Sequence, residues 1–86
     1  MDKGILEKVL AGLSDKNIRF GELRRLVLSL SFDERIKGDH HIYNKAGVPE
    51  ILNLQPLRDG MAKAYQVKQI RSIILKYKLG KEIGDV

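Results

Sequence analysis

The sequence predicts an α+β domain in which helices gather on one face of a three-stranded antiparallel sheet and leave the other face open. Apolar residues recur at helical spacing early and late in the chain. Three strand-length segments separated by turn residues fill the middle. The 86 residues leave room for one domain only. The order of elements reads α-αβββα. Hydrophobic residues make up 43% of the chain, enough for one core. A domain of this size buries only about 60% of its unfolded surface, so a large internal cofactor cavity is not expected.

Ile5, Leu6, Val9, Leu10 and Leu13 form a helical stripe over residues 2–13, with Asp2 as N-cap and Lys3, Glu7 and Lys8 on the other side. Gly12 and the polar run 14–17 end that helix in a turn. Phe20, Leu23, Leu26, Val27 and Leu30 make a continuous stripe over residues 20–31, and a helix carrying it needs a surface to cover. Residues 32–37, 40–44 and 50–54 supply that surface as a β-meander. Gly38-Asp39 forms the first turn, with Gly in the first central place as a type II′ turn prefers, and residues 45–49 form the second connection. Residues 55–64 contain Pro56 and Gly60, lack periodicity and read as a loop of the length that often carries function. Val67, Ile70, Ile73, Ile74 and Tyr77 define a last helix over 65–79, with Gly80 as its stop signal and a fraying tail beyond.

Sixteen Lys and Arg against eleven Asp and Glu give a formal charge of +5, which favours a polyanionic or acidic partner: RNA, DNA or an acidic protein. Cysteine is absent, which removes disulfides, thiolate metal sites and thiol nucleophiles and suits a reducing cytoplasm. No apolar run reaches the roughly 18 residues of a membrane span, and the first 16 residues lack a signal-peptide core, so no membrane association is expected.

His40 and His41 are the only side chains whose ordinary titration falls near neutrality. As consecutive strand residues they point to opposite faces, and periodicity alone does not decide which is solvated. Arg35 and Lys37 before the turn and Lys45 after the strand are cations able to hold phosphates beside an imidazole; lysines on short strands also simply protect sheet edges. Lys63, Lys68 and Arg71 make a basic flank on the last helix that suits a nucleic-acid backbone or a solvated surface equally. Tyr43 and Tyr77 lie in apolar patterns and belong to the core, whereas Tyr65 is placed either for packing or for stacking on a base. Metal chemistry fits poorly, because adjacent strand histidines diverge and no His-x-x-x-His or paired-carboxylate spacing exists. Gly-rich phosphate loops and a Gly-x-Ser-x-Gly elbow are absent, and no helix-turn-helix pair precedes the last helix.

Read in order, Arg19-Phe20 with Glu22-Leu23, Phe32 with the run from Arg35 to Tyr43, Asn53-Leu54-Gln55-Pro56, and the run from Tyr65 to Arg71 resemble the HicA family of toxins. These are small ribonucleases of bacterial toxin-antitoxin systems with a fold like a double-stranded-RNA-binding domain. The resemblance covers about residues 16–79. It divides the single 1–86 domain into an added N-terminal helix (1–15), an αβββα core (16–79) and a tail (80–86). The family's Gly-Ser-His motif maps onto Gly38-Asp39-His40, with His41 and Tyr43 behind it. The resemblance implies that His40 is the catalytic residue, exposed away from the helices, while His41 shares the inner or edge side with Tyr43.

The resemblance further implies cytoplasmic mRNA cleavage without a cofactor or metal. On that reading His40 would draw the proton from a ribose 2′-hydroxyl, His41 could assist only if the strand twists, and the cations already noted would serve the substrate, Arg35 and Lys37 at the phosphorane and Lys37, Lys45, Lys63, Lys68 and Arg71 in binding RNA. A HicB-type antitoxin would cover the site, and the toxin-antitoxin complex offers a route to a homo-oligomer. Two residues depart from the family pattern. Asp39 replaces the usual Ser, where a carboxylate would favour the charged ring or repel the phosphate; Ser31 stands where relatives often have Gly. The alternative from another class is a non-catalytic RNA-binding module with the same basic surface.

Overall fold

The computed structural model describes residues 3–81. The Asp2 cap and the tail beyond residue 81 lie outside the described residues. Helix α1 (Lys3–Ala11) and a 3₁₀ turn (Asp15–Asn17) lead into α2 (Phe20–Ser29). Strands β1 (Asp33–Lys37), β2 (His40–Lys45) and β3 (Val48–Leu54) form an antiparallel sheet in the order β1-β2-β3, and α3 (Ala64–Tyr77) closes the fold. This is the α+β arrangement with the α-αβββα order that the periodicities predict.

Helix α2 exists because its stripe has a sheet to cover: Phe20, Leu23, Leu26, Val27 and Leu30 are all buried. The Glu22 carboxylate accepts from the Arg19 backbone N–H at 3.2 Å and ties down the start of the helix. The helix hands over to β1 through Ser31, which has φ +72 in the left-handed region that favours glycine. The core lies between α2, α3 and the inner face of the sheet, where Tyr43, Leu52 and Leu54 meet Val67, Ile70 and Ile74.

From α1, only Ile5, Leu6 and Val9 join that core; Leu10 is 37% and Leu13 89% exposed. A core this small has room for about half of the five-residue stripe, and the helix ends at Ala11 before Leu13 can pack.

Strand β3 starts at Val48, two residues before the expected segment, because the connection is a tight turn rather than a five-residue link. Gly47, with φ +87, lets Lys45 pair directly with Val48. The register then shifts between Tyr43 and Lys45, and the bulge on the edge strand accommodates Pro49, which has no N–H to donate. At the other turn Gly38 alone has positive φ, +62, as a type II′ turn requires.

Helix α3 stops at Lys78 in the left-handed conformation, before Gly80, with Leu79 N–H closing onto the Ile74 carbonyl at 2.9 Å. Gly80 serves packing instead: a Cβ there would sit 3.2 Å from Leu6. The 55–64 segment has no periodicity yet is pinned, with Ala62 N–H donating to Ile18 C=O and Phe20 N–H to Gly60 C=O. No helix among the described residues is long and apolar enough to cross a membrane.

Candidate active site on the open face of the sheet

Alternation along β2 separates the two histidines. The His41 side chain is 16% exposed and points to the inner face, while that of His40 is 49% exposed on the uncovered face. His41 stacks edge-on against Phe20 with ring centroids 4.8 Å apart, and its Nδ1 lies 3.2 Å from Glu34 Oε2. The same carboxylate accepts two hydrogen bonds from Arg24, at 2.7 and 2.8 Å, and one from the Tyr43 hydroxyl at 2.6 Å.

These partners, with the Arg24 guanidinium foremost, hold the Glu34 carboxyl down at about 2. Burial, reinforced by the Glu34 charge, pushes the Tyr43 hydroxyl well above its ordinary value. Within the cluster the Glu34 carboxylate meets the Arg24 guanidinium, His41 Nδ1 and the Tyr43 hydroxyl. His41 therefore lies on the face opposite His40, on the side it shares with Tyr43.

The open face is built differently. Across β1 and β2, Lys37 pairs with His40 and Arg35 with Ile42; across β2 and β3, Ile42 pairs with Asn53. Arg35, Ile42, Asn44 and Ile51 line a shallow depression of about 280 Å³. His40 Nδ1 lies 3.1 Å from Asn53 Oδ1, and His40 Nε2 lies 3.9 Å from Asp39 Oδ1. Asp39 Oδ2 accepts from Gln55 Nε2 at 2.7 Å, and Gln55 Oε1 accepts from Lys63 Nζ at 3.3 Å. The Gln55 hydrogen bond is the main reason the Asp39 carboxyl is held below its usual range, so Asp39 is a carboxylate at neutral pH.

The cations named in the sequence thus divide. Lys37 and Arg35 are exposed on the His40 face, and neither forms an ion pair among the described residues. Lys63 reaches the same end of the sheet through Gln55. Lys45 stands at the far end of β2, its Nζ 6.0 Å from the centre of the Phe32 ring. Arg71 is spent on structure: it forms two hydrogen bonds to Asp15, at 2.9 and 3.0 Å, and one to the Val9 carbonyl at 3.0 Å. Lys68 is exposed but near enough to Asp15 to help lower its carboxyl, behind the larger effect of Arg71. Tyr65 is 59% exposed at the start of α3.

Three site residues carry no signal in composition or spacing: Asn53, Gln55 and Gln66. Asn53 and Gln55 face His40 and Asp39 only once the β2–β3 register is fixed. Gln66, 4% exposed, fixes that end of β3 from α3: its Nε2 donates to Asn53 C=O at 3.2 Å and its Oε1 accepts from Gln55 N–H at 3.1 Å. Among the described residues no group of three His, Asp or Glu stands together as a metal site. Comparisons of the chain with protein-family models, curated proteins and solved structures find no match, so function has to be argued from these side chains.

Proposed function

We propose that this protein is a metal-independent endoribonuclease of the HicA type, a toxin that cleaves mRNA in the cytoplasm and is held in check by an acidic HicB-type antitoxin seated on the open face. The observation that carries this reading is His40. It is a solvated imidazole on the uncovered side of the sheet, with Lys37 directly across the ladder and Lys63 and Arg35 nearby.

Neutral His40 takes the proton of a ribose 2′-hydroxyl, and the freed oxygen attacks the adjacent phosphorus. The bond from phosphorus to the 5′-oxygen breaks, and that oxygen takes a proton from water on the open face. The products are a 2′,3′-cyclic phosphate and a 5′-hydroxyl. The nucleophile belongs to the substrate, so the chemistry calls for no metal. General-base assistance of this kind contributes roughly 10²- to 10⁴-fold, and Lys37 and Arg35 offset the extra negative charge on the phosphorane.

Lys45, Lys68 and Arg71 drop out of this substrate surface: Lys45 lies at the far end of β2, and Lys68 and Arg71 turn toward Asp15. A second reading is favoured by one observation: the Asp39 carboxylate beside Nε2 repels phosphate, which suits a module that binds RNA without cutting it. Incubation of purified protein with RNA in EDTA separates the two. The nuclease reading expects products ending in cyclic phosphate from the wild type and none from His40→Ala; intact RNA bound in a salt-sensitive manner by both proteins would establish the binding module instead.

A further inference from the structure

A neutral imidazole carries one proton on two nitrogens, and only the bare nitrogen can act as base. Which nitrogen of His40 is bare is decided by what faces it. The Asn53 side-chain oxygen 3.1 Å from Nδ1 can accept a hydrogen bond and cannot donate one. In that orientation the contact favours the hydrogen on Nδ1 and the lone pair on Nε2. Histidine free in water favours the opposite arrangement, so the contact reverses an intrinsic preference.

Asn53 is well held for this task. Its neighbours in the ladder pair with β2, its own carbonyl is gripped by the buried Gln66, and the next residue but one is gripped by the same side chain. The charged groups around His40 are Asp39 from the turn, Lys37 and Arg35 from the same side of β1, and Lys63, which reaches Gln55 from the segment before α3. Asp39 Oδ1 is 3.9 Å from Nε2, too far to accept a hydrogen bond, so it does not hold a hydrogen on that nitrogen.

We propose that Asn53 is the positioning residue of His40: its side-chain oxygen keeps the proton on Nδ1 and leaves Nε2 bare to receive the proton of the substrate. The proposal rests on reading His40 as the base, and its test has a readout that does not. Two-bond ¹H–¹⁵N correlation spectra of ¹⁵N-labelled protein, recorded with the ring neutral, report the tautomer directly. Thermal melts run alongside confirm that each variant is folded, since Asn53 is exposed.

The wild type should show a protonated Nδ1 and a bare Nε2. Asn53→Ala should move the proton to Nε2 and slow RNA cleavage about tenfold or more. Asn53→Asp, which can still accept from Nδ1–H, should keep the tautomer and the cleavage at high pH while the acid limb of the rate profile moves to higher pH, because a carboxylate favours the charged ring. A wild-type His40 with its proton on Nε2, or the same tautomer in wild type and Asn53→Ala, would overturn the proposal. Spectra as expected from a wild type that cuts no RNA would leave Asn53 in its positioning role and defeat the nuclease reading alone.

Discussion

The two faces of the sheet treat charge in opposite ways, and the adjacent histidines show it most clearly. On the inner face His41, Arg24 and Tyr43 converge on one carboxylate, Glu34, so that every charge has a counter-charge or a donor within hydrogen-bond reach. On the open face His40, Lys37 and Arg35 stand in solvent, and the carboxylate beside them, Asp39, is engaged by Gln55. A neutralised cluster holds α2 to β1; an excess of positive charge around a solvated ring is free to meet a polyanion. The same side chain is thus packed into a hydrogen-bonded cluster at one position and left in solvent at the next, and strand alternation alone separates them.

The largest effect expected from breaking this contrast is at Glu34. Glu34→Ala strands Arg24, Tyr43 and His41 without their shared acceptor and should cost about 3 kcal/mol, read as a fall of more than about 10 °C in melting temperature. The pH dependence follows from the same carboxylate. Its folded value of about 2 is below the ordinary 4.5, so its contribution is present above the ordinary value and is lost as pH falls from about 4.5 toward 2. Denaturant unfolding at a series of pH values should show a loss across that window that is larger in the wild type than in Glu34→Ala by up to about 3 kcal/mol, the part common to both coming from the other lowered carboxyls, Glu50, Asp15 and Asp39.

Next in size is the division among the cations. Arg71→Ala should cost about 1–2 kcal/mol of stability by denaturant melt and leave the salt dependence of RNA binding unchanged. Lys37→Ala should do the reverse, with stability within about 0.5 kcal/mol and a salt slope reduced by about 1. The smallest effect is at the exit of α2. Ser31→Gly relieves a positive φ and should raise stability by about 0.5 kcal/mol in a thermal or denaturant melt.

The parts of this molecule legible in its sequence are those fixed by local periodicity. The stripe from Phe20 to Leu30 declares α2, and the alternation of His40 to Tyr43 forces the histidines apart, because neighbours on one element decide both. What depends on residues far apart in the chain is not legible: Arg71 looks like one more surface cation until the fold brings Asp15, 56 residues away, against it. Asn53 gains meaning only through the register that sets it beside His40, and Gln66 only because α3 docks its buried amide on the end of β3. Misplaced boundaries have similarly concrete causes. The chain reverses at Gly47 faster than Pro49 suggests, and α3 ends on Lys78 because the Leu79 N–H reaches back to Ile74.

Placing His40→Ala and His41→Ala side by side tests the contrast most directly, with RNA cleavage in EDTA and melting temperature measured on both proteins. His40→Ala should retain the wild-type melting temperature and lose cleavage, while His41→Ala should melt lower by about 1–2 kcal/mol of stability and still cut RNA while folded. Cleavage that survives in His40→Ala and vanishes in a fully folded His41→Ala would contradict the account.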